Sequence, residues 1–379
     1  MDLLRPFRVR RNVFSGLLHI ALMTIVIGAC VTHFWGVQGE IHLRADKAET
    51  LTINPSALTE SKSLSLFLWD FQIVYAEDGQ TPVDYITELR ILDRSRYVMT
   101  KAKGENMPVD EGTIRMNKPL KYNGWRFCQS DYDSDRMGVV LAYNYDPWGI
   151  GITYTGYALL LLAMIGFFFQ KNTYFRVLWK ELTSSSRFVG KAGVCAFAAL
   201  IVVLALVMTK VVTPKPPLQP VLQTPLLGIH VSVIMLAYTL FAIIMINGII
   251  GICMSVAERK ATGARKDRLQ ISGQRLQKLS QLFLYPALFC LTTGIFIGAV
   301  WANLSWGRYW GWDPKETWAL ITMLVYACQL HWPLIIPKLH IAKHKAQIVY
   351  HIISVINFFF VLFTYFGVSY LLGGLHSYA

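Results

Sequence analysis

The sequence predicts a polytopic α-helical membrane protein of about seven transmembrane helices with one extracytoplasmic β-rich domain. Three observations support this fold class. Of the 379 residues, 54% are hydrophobic and only 16% are charged, and the charges are segregated between long apolar runs. One long insert, residues 36–146, alternates with the period of β-strands. Basic residues concentrate in every second connection between the runs, as they do in membrane proteins.

Seven apolar stretches are each long enough to cross a bilayer core, which takes about 20 residues of helix. They cover roughly residues 13–35, 148–170, 190–210, 230–255, 281–302, 317–336 and 347–371. The first is too long for a signal peptide and lacks a clear cleavage site, so we expect it to be retained. The expected divisions are a cytoplasmic start and first helix (1–35), the β domain (36–146), the second helix (147–170), a cytoplasmic loop (171–189) and a larger membrane domain (190–379) with an aromatic segment at 301–318.

The distribution of Lys and Arg predicts the orientation. The start and the connections 171–191, 256–280 and 337–346 hold four, five, seven and three of these residues, whereas the short connections on the other side hold only Lys215, Arg308 and Lys315. The positive-inside rule therefore places the N-terminus in the cytoplasm and the β domain and C-terminus outside. The same bias explains the net charge of +13, so we expect no nucleic-acid partner.

The insert 36–146 is predicted to be a small antiparallel β domain. Its strands show period-two runs such as Leu64, Leu66 and Leu68, and its turn signals are Asp78-Gly79, Lys103-Gly104, Glu111-Gly112 and Asn123-Gly124. The insert offers no nucleophile paired with a base, which favours a binding or shaping module. The six cysteines include no C-x-x-C pair, so the chain carries neither a dithiol redox motif nor a C-x-x-C-H attachment site.

Residues 306–318 are the most informative part of the chain. Four tryptophans and one tyrosine fall within thirteen residues: Trp306, Tyr309, Trp310, Trp312 and Trp318. This density is typical of a flat aromatic platform that stacks on a large planar ligand. The alternative is an interfacial aromatic belt, although a belt does not need the run Trp-Asp-Pro-Lys-Glu-Thr. Asp313 and Glu316 are expected to shape a turn, with Pro314 starting the next helix.

Two stretches carry a family resemblance. In the run 117–133, a Pro-Leu, a Tyr-x-Gly and an aromatic-x-Gln-Ser resemble the end of the outer domain of ResB-type proteins. The tryptophan segment, together with the C-terminal Gly-Leu-His-Ser-Tyr around His376, resembles the WWD signature of the CcsA branch of haem-handling proteins. The chain as a whole is similar to fused ResB/CcsA-type system II cytochrome c synthases.

This resemblance implies a function. The family exports haem b across the bacterial inner membrane and attaches it, as a holocytochrome c synthase, through thioether bonds to the C-x-x-C-H thiols of apocytochrome c. The implied partners are haem, apocytochrome c, membrane lipid and a thioredoxin-like thiol reductant. Two other functions fit the same residues, namely a haem transporter or chaperone without ligase activity and a bis-histidine b-type cytochrome that transfers electrons.

Histidines are the expected ligands of the haem iron. His230 and His376 flank the tryptophan segment on the outer side and match the family's outer pair, to which we assign the catalytic role. His19 and His331 lie deeper and match its inner pair, with His351 as the rival to His331. The alternative for the inner residues is a histidine bonded to helix backbone.

Six residues of the tryptophan segment are expected to contact haem: Trp306, Arg308, Trp310, Trp312, Asp313 and Trp318. Arg308 and Lys315 are placed to pair with its propionates. Their alternative is ordinary snorkelling of basic side chains at the membrane interface.

Overall fold

The structure is a computed structural model that describes residues 13–45, 49–53, 62–93, 109–171, 173–184, 220–336, 342–372 and 374. The predicted third span at 190–210, the Lys103-Gly104 turn signal and His376 lie outside the described residues. The described helices are α1 Val13–Trp35, α2 Gly149–Phe169, α3 Tyr174–Ser184, α4 Pro225–Lys260, α5 Gly263–Ser305, α6 Pro314–Leu330, α7 Trp332–Ile335 and α8 Lys343–Leu362, which continues as a π-helix over Phe363–Leu372.

The β domain, which the sequence predicts to lie outside the membrane and which we call the outer domain, is built from two four-stranded antiparallel sheets. Its strands are β1 Val37–Arg44, β2 Glu49–Ile53, β3 Lys62–Tyr75, β4 Pro82–Asp93, β5 Asp110–Arg115, β6 Leu120–Tyr122, β7 Trp125–Tyr132 and β8 Gly138–Tyr145. One sheet has the order β1-β8-β7-β6 and the other β2-β3-β4-β5. Alternate residues of both sheets form one buried core, which includes Leu66, Leu89, Trp125, Phe127 and Leu141. The predicted β domain is therefore confirmed.

The turn signals give mixed outcomes. Asn123 and Gly124 both have positive φ values, 46° and 87°, and connect β6 to β7 in the two-residue hairpin that such a pair favours. Glu111-Gly112, however, lies inside β5, so the turn predicted there is wrong. Gly112 is needed in the strand because a Cβ at this position would lie 2.5 Å from a methyl carbon of Leu120. Close packing, not backbone reversal, explains this glycine.

Five described stretches are long and apolar enough to cross a membrane: Val13–Trp35, Gly149–Thr183, Pro225–Lys260, Gly263–Ser305 and His344–Leu372. The chain is a multi-pass membrane protein. α1 and α2 pack side by side because glycines on each helix allow close approach, as is common between membrane helices. α4 and α5 form the long central hairpin, whose packed residues include Phe241, Leu284 and Leu291.

The predicted span 317–336 is not one continuous helix. α6 ends at Leu330, His331 caps it, and the short α7 follows from Trp332. Pro333 explains the break, since proline supplies no backbone N–H and its ring would clash with the carbonyl of Gln329, four residues earlier, in a continuous helix. α6 therefore has 17 residues and is about 26 Å long at ~1.5 Å per residue.

Gly28 is the position at which the packing of α1 on α2 is most easily tested. A Cβ on Gly28 would lie 2.6 Å from the backbone nitrogen of Thr153, whereas a Cβ on Gly16 of the same helix meets nothing within 4 Å. We expect Gly28→Ala to force the two helices apart and to lower the midpoint of thermal unfolding in detergent.

Gly16→Ala is the matched control. It should leave the midpoint unchanged or raise it, because alanine is favoured over glycine in a helix by about 1 kcal/mol. Equal midpoints for Gly28→Ala and Gly16→Ala would contradict the close contact of α1 with α2.

Candidate functional site

The tryptophan segment, residues 306–318, begins directly after α5, which ends at Ser305. Its residues 306–313 have no regular secondary structure, and α6 begins at Pro314. Gly307 and Trp312 have positive φ values of 76° and 56°. For a tryptophan this left-handed backbone is unfavourable and marks a conformation that its surroundings enforce. A Cβ on Gly307 would lie 3.2 Å from the sulfur of Cys128 in β7. The segment is therefore shaped by the outer domain as well as by the two helices.

The start of α6 is a fully formed capping box. Asp313 is buried, and its Oδ2 accepts a bond from the Lys315 backbone nitrogen at 3.1 Å. Glu316 Oε2 accepts bonds from the Gly311 nitrogen at 2.8 Å and the Asp313 nitrogen at 3.3 Å. Pro314 occupies the first turn. Asp313 and Glu316 thus shape this turn, as the sequence indicated, and a contact of Asp313 with haem stays a prediction.

The tryptophan rings form edge-to-face pairs and not the single flat surface that the sequence indicated. Trp310 and Trp312 lie 5.9 Å apart at 88°. Trp306 packs against Trp301 at 4.8 Å and 66°, and Trp318 against Phe363 at 4.3 Å and 51°. Such tilted pairs are the favoured aromatic geometry. Trp312 is 73% exposed, so one large ring face is available to a ligand.

Three polar contacts connect the outer domain to the end of α5 and the start of the tryptophan segment. Asn144 of β8 donates its amide to the Gly307 carbonyl at 2.8 Å. The Arg126 guanidinium of β7 donates to the side-chain and backbone oxygens of Asn303. Ser305 donates its hydroxyl to the Asn117 side-chain oxygen at 2.5 Å. Sequence reasoning missed all three, because their partners are about 160 to 190 residues apart and no local pattern connects them.

A second network connects the segment to the first two helices. The Tyr309 hydroxyl donates to Thr32 Oγ1 at 2.9 Å, and Thr32 donates to Asp146 Oδ2 at 2.6 Å. The other oxygen of Asp146 accepts the backbone N–H of Gly149 at the start of α2, at 2.7 Å. Tyr309, Thr32 and Asp146 therefore fix the tryptophan segment to the ends of α1 and α2.

Beside these contacts lies a cleft of 840 Å³ between the outer domain and the tryptophan segment. Its walls include Glu40, Asp131 and Tyr132 from the domain and Trp306 and Arg308 from the segment. Arg308 therefore lines a cavity that it shares with the carboxylates of Glu40 and Asp131.

His230 is held in one orientation on α4. Its Nδ1 lies 2.7 Å from the backbone carbonyl of Gly294 on α5. A carbonyl only accepts, so a proton is on Nδ1, and in the neutral ring Nε2 is the nitrogen with the lone pair. A Cβ on Gly298 would lie 2.7 Å from the imidazole, so the ring fits in a notch that this glycine provides. The arrangement is the one that orients metal-ligating histidines.

His19 and His331 show the same bond within their own helices. Nδ1 of His19 lies 2.7 Å from the Ser15 carbonyl, and Nδ1 of His331 lies 2.7 Å from the Ala327 carbonyl. Both side chains are exposed at the surface of the protein. In the neutral ring of each residue, Nε2 is the nitrogen with the lone pair. The backbone bond of the alternative interpretation is present, but it leaves the second nitrogen available.

His351, the alternative to His331 as inner ligand, has different surroundings from His19 and His331. It is fully buried. A Cβ on Gly251 of α4 would lie 2.5 Å from its ring atoms. The ring is thus enclosed between helices and has no space for a planar ligand.

The C-terminal part of the chain returns to the tryptophan segment. A Cβ on Gly374 would lie 2.5 Å from Oδ1 of Asp313, so the backbone of Gly374 lies directly against the cap of α6. His376, predicted as the second outer ligand, is two residues further on and outside the described part of the chain.

Comparison with known proteins identifies the family. Residues 155–376 match the model described as cytochrome C assembly protein, and residues 11–173 match the ResB-like family. The chain belongs to the cytochrome C assembly protein family. Its two matches make it a fused ResB/CcsA-type member.

Named relatives agree with this assignment. The chain is 31% identical over 269 residues to the cytochrome c biogenesis protein CcsA of Guillardia theta. The aligned region covers 60% of this chain and 86% of that protein. It is 39% identical over 164 residues to CcsA of Chlamydomonas reinhardtii, covering 43% of each chain. It is 38% identical over 162 residues to the protein NrfI of Wolinella succinogenes, covering 43% of this chain but 17% of that protein.

Cys128 reports on the contact between the outer domain and the tryptophan segment. Its side chain is 2% exposed, and burial raises the pKa of its thiol to about 12. Because only the thiolate reacts, the reactive fraction at pH 8 is about 10⁻⁴, against roughly a quarter for a free cysteine. We expect iodoacetamide to label Cys128 at least about a hundredfold more slowly in the folded protein than after unfolding.

The labelling is measured for each cysteine by peptide mass spectrometry. The rate for the folded protein should rise with pH up to the pH of unfolding, because deprotonation becomes easier as pH approaches the raised pKa. Equal rates before and after unfolding would show that β7 is not packed against Gly307.

Proposed function

We propose that this protein carries haem b across the bacterial inner membrane and attaches it to the C-x-x-C-H thiols of apocytochrome c. The observation that supports this most directly is the shared geometry of His19, His230 and His331. Each has Nδ1 next to a backbone carbonyl at 2.7 Å, and in a neutral imidazole this puts the proton on Nδ1 and makes Nε2 the nitrogen that can bind iron. The chain spans 17% of the length of NrfI and 43% of the length of CcsA from Chlamydomonas reinhardtii. Membership of the cytochrome C assembly protein family supports the same role.

The histidines lie at two depths. His19 is 16 residues before Trp35, and His331 is 18 residues after Asp313, which places both about 24–27 Å from the outer ends of their helices. His230 is five residues, or about 8 Å, from the outer start of α4. Two depths suit a cargo that is taken up near the cytoplasm and released outside. In this proposal His19 and His331 receive haem, and His230 and His376 present it.

Attachment needs positioning more than acid–base chemistry. Each acceptor S–H adds across one haem vinyl group, so a C–S bond forms, the proton goes to the other vinyl carbon and no electrons are gained or lost overall. His230 and His376 hold the iron, Trp306, Trp310, Trp312 and Trp318 supply ring contacts, and Arg308 faces a propionate. A thioredoxin-like reductant would keep the acceptor thiols reduced.

Maturation of a reporter tests this function. The chain is expressed with an apocytochrome that carries one C-x-x-C-H motif, in cells without their own pathway. We expect the reporter to carry haem that survives denaturation, and a Cys→Ala change in its motif to abolish the signal. Bound haem without reporter maturation would instead indicate a transporter, and rapid reduction by quinol a b-type cytochrome.

The outer ligand has a direct spectroscopic test. His230→Gly should convert the outer haem from six-coordinate low spin to high spin, and added imidazole should restore the low-spin spectrum and reporter maturation, because it refills the open position. His42→Gly is the control, since His42 bonds Asp133 in the outer domain at 2.9 Å, away from the tryptophan segment. An unchanged low-spin spectrum in His230→Gly would remove His230 from the site.

The inner ligands are tested by haem occupancy. His19→Ala and His331→Ala should each lower the haem bound per protein several-fold during expression, since loss of an axial ligand weakens binding. His351→Ala should leave occupancy unchanged, because its ring is enclosed behind Gly251. Haem content of purified protein is measured as the pyridine haemochrome. Loss in His351→Ala with none in His331→Ala would reverse the assignment.

A further inference from the structure

An apolar groove lies between α6 and the last membrane helix, which is α8 with its π-helical continuation. The groove has a volume of 450 Å³. All of its lining residues are aromatic, aliphatic or glycine, namely Trp318, Phe359, Phe360, Leu362, Phe363 and Gly367. Because these side chains offer neither a charge nor a hydroxyl group, the lining suits a hydrocarbon chain. We call these six residues the lipid groove.

The lipid groove is open to the hydrocarbon layer. The side chains of Phe359 and Leu362 are 64% and 39% exposed, and both belong to the membrane span His344–Leu372. From Phe359 to Gly367 the helix advances at most about 12 Å at ~1.5 Å per residue. This length fits within one half of a hydrocarbon core about 30 Å thick. The groove therefore lies in one leaflet, the one at the outer end of α6.

A basic side chain lies at the outer end of the lipid groove. Lys315 is three residues before Trp318 on α6, and Ser369 is two residues after Gly367 on the facing helix. The Lys315 ammonium donates to the Ser369 hydroxyl at 3.0 Å. The neighbouring Tyr370 is largely exposed, as tyrosines at headgroup level commonly are. Lys315 is therefore placed where the headgroup of a lipid in the groove would be.

The charge of Lys315 is available to an anion. Both neighbouring carboxylates are used in the cap of α6, where Asp313 and Glu316 accept bonds from backbone N–H groups. Among the described residues, the Lys315 ammonium forms no ion pair within 4 Å, and its bonded partner is the neutral hydroxyl of Ser369. An ammonium carries three N–H donors, so the bond to Ser369 is compatible with further bonds to a phosphate.

We infer that the lipid groove and Lys315 form a binding site for an anionic phospholipid of the outer leaflet. One acyl chain occupies the groove, and the phosphate bonds the Lys315 ammonium. A lipid held in this way connects the start of α6 to the end of the last membrane helix, close to the contact of Gly374 with Asp313. A phosphate complements the ammonium better than the neutral head of an isoprenoid quinone does. The inference does not depend on haem export.

The headgroup contact is tested by competition between two lipids. The purified full-length chain is given equal amounts of phosphatidylglycerol and phosphatidylcholine with identical acyl chains, and the first bound lipid is identified by native mass spectrometry. We expect phosphatidylglycerol to be favoured about fivefold, the factor that one basic side chain contributes near an anionic headgroup. Lys315→Gln should remove this preference, and Lys315→Arg should keep it. Lys121→Gln is the control for net charge, because Lys121 is exposed on β6 of the outer domain.

The acyl-chain contact is tested by filling the lipid groove. Leu362→Trp should lower occupancy by the first lipid several-fold for both headgroups, because the larger ring takes the volume of the chain. Ile352→Trp is the matched control, since Ile352 has the same exposure on the same helix, 40% against 39%, and does not line the groove. Circular dichroism and the elution volume of each variant show that it is folded.

The lipid site is supported if Lys315→Gln removes the headgroup preference and Leu362→Trp removes the bound lipid. Equal binding of the two lipids by the unaltered protein, or binding that neither variant changes, would overturn it. A quinone that is extracted from the unaltered protein at one molecule per chain, and is lost in Leu362→Trp, would overturn it as well. All of these measurements detect lipid and not haem, so they are separate from the tests of the proposed function.

Discussion

The bond from the Asn144 amide to the Gly307 carbonyl, with the Arg126 contact to Asn303 beside it, connects the outer domain to the membrane helices. Residues 306–313 have no regular secondary structure of their own, so their backbone groups and left-handed residues must be fixed from outside. Sheet β1-β8-β7-β6 supplies one set of partners, and the Tyr309–Thr32–Asp146 network supplies another. The position of the tryptophans, and therefore of any ligand against them, depends on these contacts.

The hydrocarbon environment explains why three of the histidines share one hydrogen-bonding arrangement. An imidazole inside a hydrocarbon layer needs a partner for its N–H, and a helix can offer the carbonyl of the residue four positions earlier. His19 and His331 use this carbonyl, whereas His230 uses α5. Because the donor is always Nδ1, the remaining nitrogen is an acceptor in each case. The need for one hydrogen bond to the imidazole N–H therefore gives the same tautomer at His19, His230 and His331.

The buried polar face of α6 follows from the same requirement. Thr322 bonds Thr364, and the Gln329 amide bonds Ser354 and Asn357. These hydroxyl and amide groups satisfy one another between α6 and the helix that begins at Lys343, so polar contacts join the two helices inside the membrane part of the protein.

The sequence by itself determined the features that depend on neighbouring residues. These are the apolar helices, the alternating strands of the outer domain, the Asn123-Gly124 hairpin and the cap formed by Asp313, Pro314 and Glu316, all set by local backbone chemistry. The turn expected at Glu111-Gly112 was wrong because a distant side chain, not the local backbone, requires that glycine. The tryptophan rings form tilted pairs and not the flat platform that the sequence indicated, because ring orientation is set by partners such as Trp301 and Phe363.

Only the tertiary structure shows that His331 and His351 have different surroundings. The two residues have similar depth along the sequence, but one side chain is exposed and the other is enclosed behind Gly251. It also brought Asn144 to Gly307 and Thr322 to Thr364, pairs that no local spacing connects. The periodicity of apolar residues in the sequence shows which face of a helix is apolar. The solvent accessibility of a side chain on that face depends on which other helix packs against it, and this is decided only when the whole chain folds.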